Sequence, residues 1–587
     1  MKTLGINAAF HDSSAALVVD GVVVGASEEE RFSRIKHAKR PLPFSAWELP
    51  FNAIDDCLKQ GGLTLADLDH VAYSFDPREF LGDRAADTTS IRLPLQPGRP
   101  AGSDGEGWEN PWDPLFAAFI VNAPDQLVDG APHHLQKRLN LPDRARPPYR
   151  WHFVNHHLCH QASAFLAAPF ERCAVMTLDG RGERATTTYG AWSREGGYRA
   201  LGEVTMPHSL GMLYEQVTTH LGFLHSSDEY KVMALAALGT PAYRGVLRDH
   251  VRIGSEGRYE ITPLDLSALF GPRRARGAPM EQRHFDLAAS LQVVLEESVL
   301  KIAKWLSGAS GETDLVMAGG VALNCVMNSK LRDAGLFDNV WVQPAAGDAG
   351  TGLGAALWVD AQQRGAGAPR AWHMDHVYLG PAYDDAEIEQ ALRWAKLPYR
   401  RHASSAELVE ATADILVRDG IVGWFQGRME YGPRSLGARS ILASPIHPEM
   451  QARLNELKDR EDFRPVAPAV PHEDLPAWFG PATANGGASP FMLFVYDVAP
   501  GQATRIPSAC HTDRTARVQT VHADTNPRFH ALLKAFGART GVPVLVNTSF
   551  NVRGEPIVCT PRNAIEAFYS TPLDALVIGS FIVEKTP

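Results

Sequence analysis

Cysteine is scarce in this chain, and long hydrophobic runs are missing. The six cysteines among 587 residues form no Cys-x-x-Cys pair, which argues against a disulfide framework and against a zinc ribbon. The first residues lack a sustained apolar core, and no later segment approaches the roughly 20 apolar residues that a membrane span needs. We therefore expect reduced thiols, a cytoplasmic location and no membrane partner.

An excess of positive charge is missing as well. The formal net charge is −10, so the chain as a whole does not attract a polyanion, and we expect no nucleic acid partner. The basic run Arg273, Arg274, Arg276 has Gly and Pro neighbours, which predict a solvated loop. Hydrophobic residues make up 45% and charged residues 21%, as in ordinary globular proteins. The length predicts two or more domains.

The first part of the chain alternates strand and helix signals. The runs LGIN, SAALVVD and VVVGAS, with an Asp20-Gly21 turn between the last two, predict a β-meander whose first loop carries His11. The helix-forming stretch NHHLCHQASAFLAA precedes an apolar strand that ends at Asp179. A helical period over residues 286–306 then leads into the strand DLVMAGG. This order predicts an α/β fold.

Two segments differ in composition from their surroundings. Residues 362–370, QQRGAGAPR, offer neither period nor core and predict a linker. Beyond it, strands such as IVGWF and VPVLV and a helix from Asn526-Pro527 to Gly537 predict a second α/β domain. Residues 92–149 are rich in Pro, Gly, Asp and Trp. We interpret them as an insertion or extended loop, which forms either a surface excursion, the interpretation we favour, or a lid over a substrate.

Four residues form a candidate metal site. His156 and His160 lie four apart, so on a helix both imidazoles project from one face. Asp179 follows a strand, and Asp348 precedes a Gly-rich helix start. Two imidazoles and two carboxylates suit Fe(II), Mn(II) or Zn(II). The alternatives are a turn role for Asp179 and a helix N-cap role for Asp348.

Glycine-rich turns favour a nucleotide cleft. Gly319 and Gly320 in AGGVALN let backbone approach a phosphate-bearing ligand closely, and GDAGTGLGAAL is a second such element. No Walker A motif is found, which disfavours a P-loop ATPase.

Basic residues concentrate in the C-terminal part, beside Gly and Pro. Arginine forks match phosphate oxygens bidentately, and lysine supplies a point charge. We expect ordinary surface salt bridges for Arg439 and Arg460. The segment NTSFN after the VPVLV strand offers hydroxyl and amide groups for a small polar ligand, or else forms a polar turn. The remaining candidates for phosphate are Arg434, Lys458, Arg464, Arg517 and Arg553.

Taken together, these motifs resemble the NodU/CmcH family of O-carbamoyltransferases. The resemblance extends from Leu4 to about Lys585 and is carried by FHDSSAAL, EEERFSRIKH, HHLCHQASAF, LDGRGE, KVMALAALG, AGGVALN, GWFQGRMEYGPRSLGARS, FRPVAP and NTSFNVRGEPIV. It implies an actin-like (ASKHA, TsaD-like) N-terminal domain, residues 1–361, and a YrdC-like α/β C-terminal domain, residues 371–587.

The resemblance also implies a reaction in two parts. The C-terminal domain would use ATP and carbamoyl phosphate to form carbamoyladenylate. The N-terminal domain would transfer the carbamoyl group to a hydroxyl of a small molecule, as in antibiotic biosynthesis and other natural product or sugar tailoring. The implied cofactors are Fe(II), or another divalent metal, and Mg²⁺ with ATP.

Residue roles follow from the same resemblance. His11 would be the general base on the acceptor hydroxyl, since a neutral imidazole can take that proton at pH 7. His156, His160, Asp179 and Asp348 would hold the metal, and Lys36 and Asn324 would join Gly319 and Gly320 at the nucleotide. The residues expected to hold carbamoyl phosphate and the adenylate, the first three of them catalytic, are Arg434, Lys458, Arg464, Arg517, Asn547 and Ser549.

Two other functions share part of this pattern. A tRNA threonylcarbamoyl-type transferase has the metal and nucleotide motifs but is disfavoured by the fused C-terminal domain. A non-catalytic actin-like nucleotide sensor would leave His11 and the Arg434 group without a chemical purpose. The acceptor cannot be identified from these motifs, because acceptor pockets lie on variable loops. Whether the protein forms a homodimer cannot be decided from the sequence.

Overall fold

The computed structural model describes residues 1–38, 49–82, 113–130, 148–365, 368–480 and 487–585. We call residues 1–365 the N-terminal half and residues 368–585 the C-terminal half.

The first sheet opens with the meander that the sequence predicts. Its strands are β1 (Lys2–Asn7), β2 (Ser14–Val19), β3 (Val22–Glu28), β4 (His70–Tyr73) and β5 (Arg150–Phe153). β1, β2 and β3 are antiparallel neighbours, while β4 and β5 continue the other side of β1 in parallel. Asp20 and Gly21 both have positive φ, 49° and 83°, as a two-residue hairpin turn requires.

A second sheet repeats this arrangement. Its strands are β6 (Arg172–Leu178), β7 (Ala185–Ser193), β8 (Gly197–Thr205), β11 (Asp314–Ala318) and β12 (Asn339–Val342). β6, β7 and β8 form an antiparallel meander, and β11 and β12 are parallel to β6 on its other side. The strand orders, β3-β2-β1-β4-β5 and β8-β7-β6-β11-β12, are therefore equivalent. This duplicated unit is the actin-like fold, as expected for the N-terminal half.

One glycine-rich helix, Ala349–Arg364, packs against the first sheet and against helix His156–Phe165. A Cβ atom at Gly354 would lie 1.8 Å from the backbone oxygen of Cys159, so only glycine permits this approach. The helices of the N-terminal half are Glu29–Ser33, Phe51–Gly61, Pro77–Leu81, Asp113–Val121, Ala123–Asp129, His156–Phe165, Leu210–His220, Glu229–Ala236, Arg244–His250, Leu266–Phe270, Gln282–Ser310, Cys325–Asp333 and Ala349–Arg364.

The C-terminal half is built on one mixed sheet. Its strands are β13 (Arg400–Arg401), β14 (Val422–Phe425), β15 (Arg439–Ala443), β16 (Ala467–Pro471), β19 (Gln519–Val521), β20 (Leu545–Ser549), β21 (Ala575–Ile578) and β22 (Phe581–Glu584), in the order β13-β22-β21-β14-β15-β20-β16-β19. The helices of this half are Asp385–Trp394, Ser405–Val417, Met450–Leu457, Leu475–Trp478, Pro527–Thr540 and Pro561–Tyr569.

Short elements complete the fold. Two small ribbons pair β9 (Val251–Ile253) with β10 (Tyr259–Ile261) and β17 (Val495–Asp497) with β18 (Thr515–Arg517). The 3-10 helices are Lys36–Ala38, Leu65–Asp67, Gly320–Leu323, His472–Asp474 and Pro507–Ala509.

Three expectations about boundaries need correction or comment. The segment expected to be a linker, 362–370, begins inside helix Ala349–Arg364, and residues 366 and 367 lie outside the described part. The helix expected to stop at Gly537 continues to Thr540, because Gly541 supplies the left-handed C-cap with φ 71°. Within 92–149, residues 113–130 form two helices rather than an extended loop. Residues 83–112 and 131–147 lie outside the described part.

None of the helices in the described ranges is long and apolar enough to cross a membrane.

Candidate functional site

Helix His156–Phe165 presents two buried imidazoles on one face. It begins at Asn155, whose side chain accepts a hydrogen bond from the Leu158 amide, 2.9 Å away. The Glu183 carboxylate accepts from the His156 amide at 2.9 Å, which satisfies a second free donor of the first turn. His156 and His160 are both fully buried. The predicted spacing of four residues therefore places both rings together.

Two carboxylates from other elements meet these rings. Asp179 follows the end of β6, and Asp348 precedes helix Ala349–Arg364. The Asp348 Oδ1 atom lies 3.6 Å from His156 Nε2 and 3.5 Å from His160 Nε2. Asp179 Oδ2 lies 3.9 Å from each of the same nitrogens. We call these four residues the metal centre.

The donor atoms of the metal centre fit one metal ion. Both Nε2 atoms are buried without a hydrogen-bond partner, and one ligand atom from each residue lies within 4.8 Å of the others. The Ser74 carbonyl, 3.2 Å from His156 Nδ1, accepts its proton and so leaves Nε2 free to coordinate. Asp348 occupies an N-cap position but makes no side-chain capping bond. Its side chain therefore serves the metal centre rather than the helix.

Charge in the metal centre is internally compensated. Burial disfavours the charged form of His156, but the Asp348 carboxylate beside it raises the pKa of this ring to about 9. His157, on another face of the helix, contacts the Thr188 hydroxyl at 3.2 Å. Burial, together with the His160 ring, holds the pKa of His157 well below its ordinary value. His157 thus has no part in the cluster, as the helical spacing predicts.

His11 lies beside the metal centre. Its Nε2 atom is 3.8 Å from Asp348 Oδ2, and its Nδ1 atom is 2.8 Å from Asp12 Oδ2. The other oxygen of Asp12 contacts His37 Nδ1 at 2.7 Å. A carboxylate on Nδ1 orients an imidazole and directs Nε2 at the reacting group. Neither Asp12 nor His37 was singled out from the sequence, although each adjoins a residue that was, His11 and Lys36.

The predicted nucleotide residues lie in different surroundings. Gly319 has φ 91°, and a Cβ atom there would lie 2.2 Å from the Leu178 carbonyl oxygen. The Gly320 amide donates to Asp179 Oδ1 at 2.8 Å, so this loop supports a residue of the metal centre. Asn324 caps helix Cys325–Asp333 and exchanges hydrogen bonds with Gln292. Lys36 begins the short helix Lys36–Ala38. Their role at a nucleotide stays a prediction.

Five cationic side chains of the C-terminal half lie close enough to act on one another's charge. We call them the anion cluster: Arg434, Lys458, Arg460, Arg464 and Arg517. Lys458 lies at the C-cap of helix Met450–Leu457, and Arg517 ends β18. Four of the five were predicted as phosphate ligands, and Arg460 is the addition.

Polar groups of β20 and the loop after it adjoin the cluster. The Lys458 ammonium donates to the Ser549 carbonyl and hydroxyl at 2.6 and 2.7 Å and to Asn551 Oδ1 at 2.8 Å. The Asn547 amide donates to the Ser435 carbonyl at 3.2 Å, while its Oδ1 atom is buried without a partner. Asn551 was missed from the sequence, although it ends the NTSFN motif.

The anion cluster carries positive charge that is hardly compensated. Among the described residues, Glu461 is the one carboxylate in an ion pair with it, 3.8 Å from Arg464. Burial, and next the Arg517 guanidinium, lowers the pKa of Arg434 to about 9. Burial, and next Arg460, holds the pKa of Lys458 well below its ordinary value. Such a site favours a bound anion.

Two further arginines differ from expectation. Arg439 is fully buried, donates to the backbone carbonyls of Gln426 and Pro381, and lies 3.6 Å over the Phe425 ring. It is a core residue, so the expected surface salt bridge was wrong. Arg460 is also not in a surface salt bridge, since it donates to Asn455 Oδ1 at 2.6 Å within the anion cluster. Arg553 is exposed and pairs with Asp459 at 2.9 Å.

The chain thus joins an actin-like half, which contains a buried cluster of two histidines and two aspartates, to a mixed sheet that carries a cluster of cations. Two protein-family models match the chain. The carbamoyltransferase N-terminus model matches residues 2–82 and 133–357, and the carbamoyltransferase C-terminus model matches residues 413–585. The chain belongs to the carbamoyltransferase family, as its motifs predict, and is a carbamoyltransferase.

Similar proteins cover most of the chain. An uncharacterized protein of Synechocystis is 37% identical and aligns 99% of this chain with 96% of its own. Nodulation protein NolNO of Sinorhizobium fredii is 36% identical over 99% of this chain and 80% of its own. Nodulation protein NolO of Bradyrhizobium diazoefficiens is 40% identical over 74% of this chain and 79% of its own.

Solved structures are more distant. The activator of a 2-hydroxyisocaproyl-CoA dehydratase from Clostridium difficile, with bound ADPNP, covers 62% of this chain and 96% of its own at TM-score 0.31 and 13% identity. HypF of T. kodakarensis covers 62% of this chain and 48% of its own at TM-score 0.32 and 12% identity. Likenesses of this size support no conclusion about this chain.

Proposed function

We propose that the chain is an ATP-dependent O-carbamoyltransferase that works through carbamoyladenylate. Residues 371–587 would be a YrdC-like domain that makes the adenylate from ATP and carbamoyl phosphate. Residues 1–361 would be a TsaD-like domain that passes the carbamoyl group to a hydroxyl of a small-molecule acceptor. The net charge of −10 favours such an acceptor over nucleic acid.

The observation that carries this proposal is the uncompensated charge of the anion cluster. Five cations have one carboxylate partner among the described residues, and burial first, then the neighbouring cations, lowers the pKa values of Arg434 and Lys458. Phosphate oxygens would neutralise them and accept their hydrogen bonds. A substrate with several phosphate groups, such as ATP beside carbamoyl phosphate, matches this amount of charge.

The first part of the proposed reaction is balanced as follows. Hydrolysis of carbamoyl phosphate breaks its bond to phosphorus and yields carbamate and inorganic phosphate. A carbamate oxygen then bonds to the α-phosphorus of ATP, and pyrophosphate leaves with the electron pair of the broken bond. The Arg434 and Arg464 guanidinium groups would bind the departing phosphate oxygens bidentately, and Lys458 would add a point charge.

The second part takes place at the metal centre. His11 would accept the proton of the acceptor hydroxyl at Nε2 while Asp12 orients Nδ1. The hydroxyl oxygen then bonds to the carbamoyl carbon, and AMP leaves. His156, His160, Asp179 and Asp348 would hold a divalent ion, Fe(II) by the family resemblance. When bound, this ion would supply Lewis-acid stabilisation of the charge on the attacked carbonyl and the leaving phosphate.

The test is pyrophosphate release from the full-length protein, with ATP and with or without carbamoyl phosphate. We expect release only with carbamoyl phosphate. Loss of one charge-assisted contact in Arg434→Ala should reduce release by about 10–100-fold, whereas His11→Ala should keep it. Arg562→Ala is the matched control, because Arg562 is 85% exposed on helix Pro561–Tyr569.

Two outcomes would contradict the proposal. If metal-loaded protein releases pyrophosphate from ATP equally well with and without carbamoyl phosphate, carbamoyladenylate is not the intermediate. If Arg434→Ala and Arg562→Ala reduce pyrophosphate release equally, the anion cluster has no specific role in the reaction. Mass spectrometry of the ATP and carbamoyl phosphate mixture, with and without protein, would identify the adenylate directly.

A further inference from the structure

A segment of the N-terminal half, residues 226–231, reaches the anion cluster of the C-terminal half. We call it the bridging segment. It follows helix Leu210–His220 and enters helix Glu229–Ala236. None of the predicted site residues belongs to it, and its chemistry is not used by the reaction described above.

Two contacts join the bridging segment to the anion cluster. The Tyr230 ring lies under the Arg464 guanidinium, with 4.7 Å between the guanidinium carbon and the ring centroid. Next to it, Lys231 Nζ pairs with Glu461 Oε1 at 3.0 Å. Glu461 in turn lies 3.8 Å from Arg464. The N-terminal half therefore contacts Arg464 directly through Tyr230 and indirectly through the pair of Lys231 with Glu461.

The bridging segment is firmly held in place. Ser226 has φ 54°, and its amide donates to Glu229 Oε1 at 2.8 Å while its hydroxyl donates to Glu215 Oε1 at 3.0 Å. Lys231 also pairs with Asp228 at 3.2 Å. A ring on so constrained a backbone can fix a guanidinium plane rather than follow it.

We propose that Tyr230 is a positioning residue of the anion cluster, contributed by the N-terminal half, whose ring holds the Arg464 guanidinium in the orientation that binds phosphate oxygens. This inference rests on the anion-binding role in the proposed function. A guanidinium held over an aromatic ring loses less freedom when it binds a ligand. The adenylate-forming site would therefore be complete only when both halves are present.

The test measures pyrophosphate binding to the full-length protein by calorimetry. Loss of the ring in Tyr230→Ala should weaken binding about tenfold, the size of a partly desolvated cation–π contact. Tyr230→Phe keeps the ring and should bind within about twofold of wild type. Tyr569→Ala is the matched control, since Tyr569 is 47% exposed in the C-terminal half. Thermal unfolding of each variant reports whether it is folded.

A double-mutant cycle separates positioning from general damage. If Tyr230 acts through Arg464, Tyr230→Ala should have no further effect on pyrophosphate binding in an Arg464→Ala protein. Additive losses would overturn the inference, as would wild-type affinity in Tyr230→Ala or a loss in Tyr230→Phe as large as that in Tyr230→Ala. In turnover, Tyr230→Ala should raise the KM for carbamoyl phosphate about tenfold and leave kcat within about twofold.

The two proposals fail in different ways. If wild type binds pyrophosphate but releases none from ATP and carbamoyl phosphate, the proposed function fails, and the Tyr230 cycle still decides the inference. If release occurs as proposed and the cycle is additive, the inference fails alone. If wild type binds no pyrophosphate, both fail.

Discussion

In the N-terminal half, two imidazoles and two carboxylates meet in a fully packed centre, whereas in the C-terminal half five cations meet with one carboxylate partner among the described residues. In the first site, carboxylates lie against imidazoles, which can share a metal ion or a proton with them, and burial strengthens such an attraction. In the second site, like charges repel, and burial disfavours the charged form of each side chain. The comparison teaches that the metal centre brings together groups of opposite charge type, while the anion cluster brings together groups of like charge that an anionic substrate would neutralise.

The largest expected effect breaks the metal side of the comparison. His156→Ala removes one of the buried nitrogens, and even an outer partner of a metal ligand is worth about 10–100-fold in affinity. We therefore expect metal affinity to fall by more than about 100-fold. The metal content that remains after incubation with a chelator and gel filtration measures this loss. His157→Gln, one position along the same helix, should keep the metal. Equal metal content in both variants would contradict the assignment.

Packing around the metal centre is tested by a single methyl group. Gly354→Ala places a Cβ atom 1.8 Å from the Cys159 carbonyl oxygen, so helices Ala349–Arg364 and His156–Phe165 must separate. We expect a loss of about 2 kcal/mol in the free energy of unfolding, measured by urea titration. Gly308→Ala is the control, because a Cβ atom there meets nothing within 4 Å. It should be neutral or stabilising by up to about 1 kcal/mol; a reversed order would refute the close packing.

The pH dependence of anion binding tests the charge of the anion cluster. An anion binds the ammonium form of Lys458, so affinity is full below the pKa of this group and falls as pH rises through it. Because burial and the neighbouring Arg460 hold that pKa well below its ordinary value, pyrophosphate affinity should fall about tenfold as the pH rises toward about 9, the value to which burial lowers the pKa of Arg434. Lys458→Arg keeps its proton and should lose this decline. An unchanged profile in Lys458→Arg would contradict the role of Lys458.

The smallest expected effect is a gain in stability from removing one cation of the anion cluster. Arg434→Met keeps the aliphatic stem but removes one of the repelling charges, so the ligand-free protein should gain about 1 kcal/mol in the free energy of unfolding. Pyrophosphate should then raise the Tm of wild type more than that of Arg434→Met. Scanning calorimetry with and without pyrophosphate measures both. A less stable, ligand-responsive Arg434→Met would show that the cluster stores no repulsion.

Local signals predicted much of this molecule. The Asp20-Gly21 turn, the alternating strands and the spacing of His156 and His160 are written in neighbouring residues, and each appears as expected. Asp348 is the instructive case, because its position favoured an N-cap equally well. Only the fold shows that its side chain turns to the imidazoles instead.

Features that depend on distant contacts were missed or misread. Arg439 looked like a surface residue because the sequence does not show the carbonyl groups of Gln426 and Pro381 that surround it. Gly354 of GDAGTGLGAAL packs against Cys159, a contact that the sequence does not show, while the predicted nucleotide role of this element stays a prediction. Asp12 and His37 needed a hairpin and a short helix to meet. In each case the partner lies far along the chain or across an element boundary.

The bridging segment also bears on how such chains can be recombined. Tyr230 contacts Arg464, and Ser227 Oγ lies 3.0 Å from His37 Nε2, so six consecutive residues touch the surroundings of both sites. A chimaera joined at residues 362–370 would pair the bridging segment of one parent with the anion cluster of the other. A chimaera that receives a foreign C-terminal half should therefore also receive residues 226–231 of the same parent.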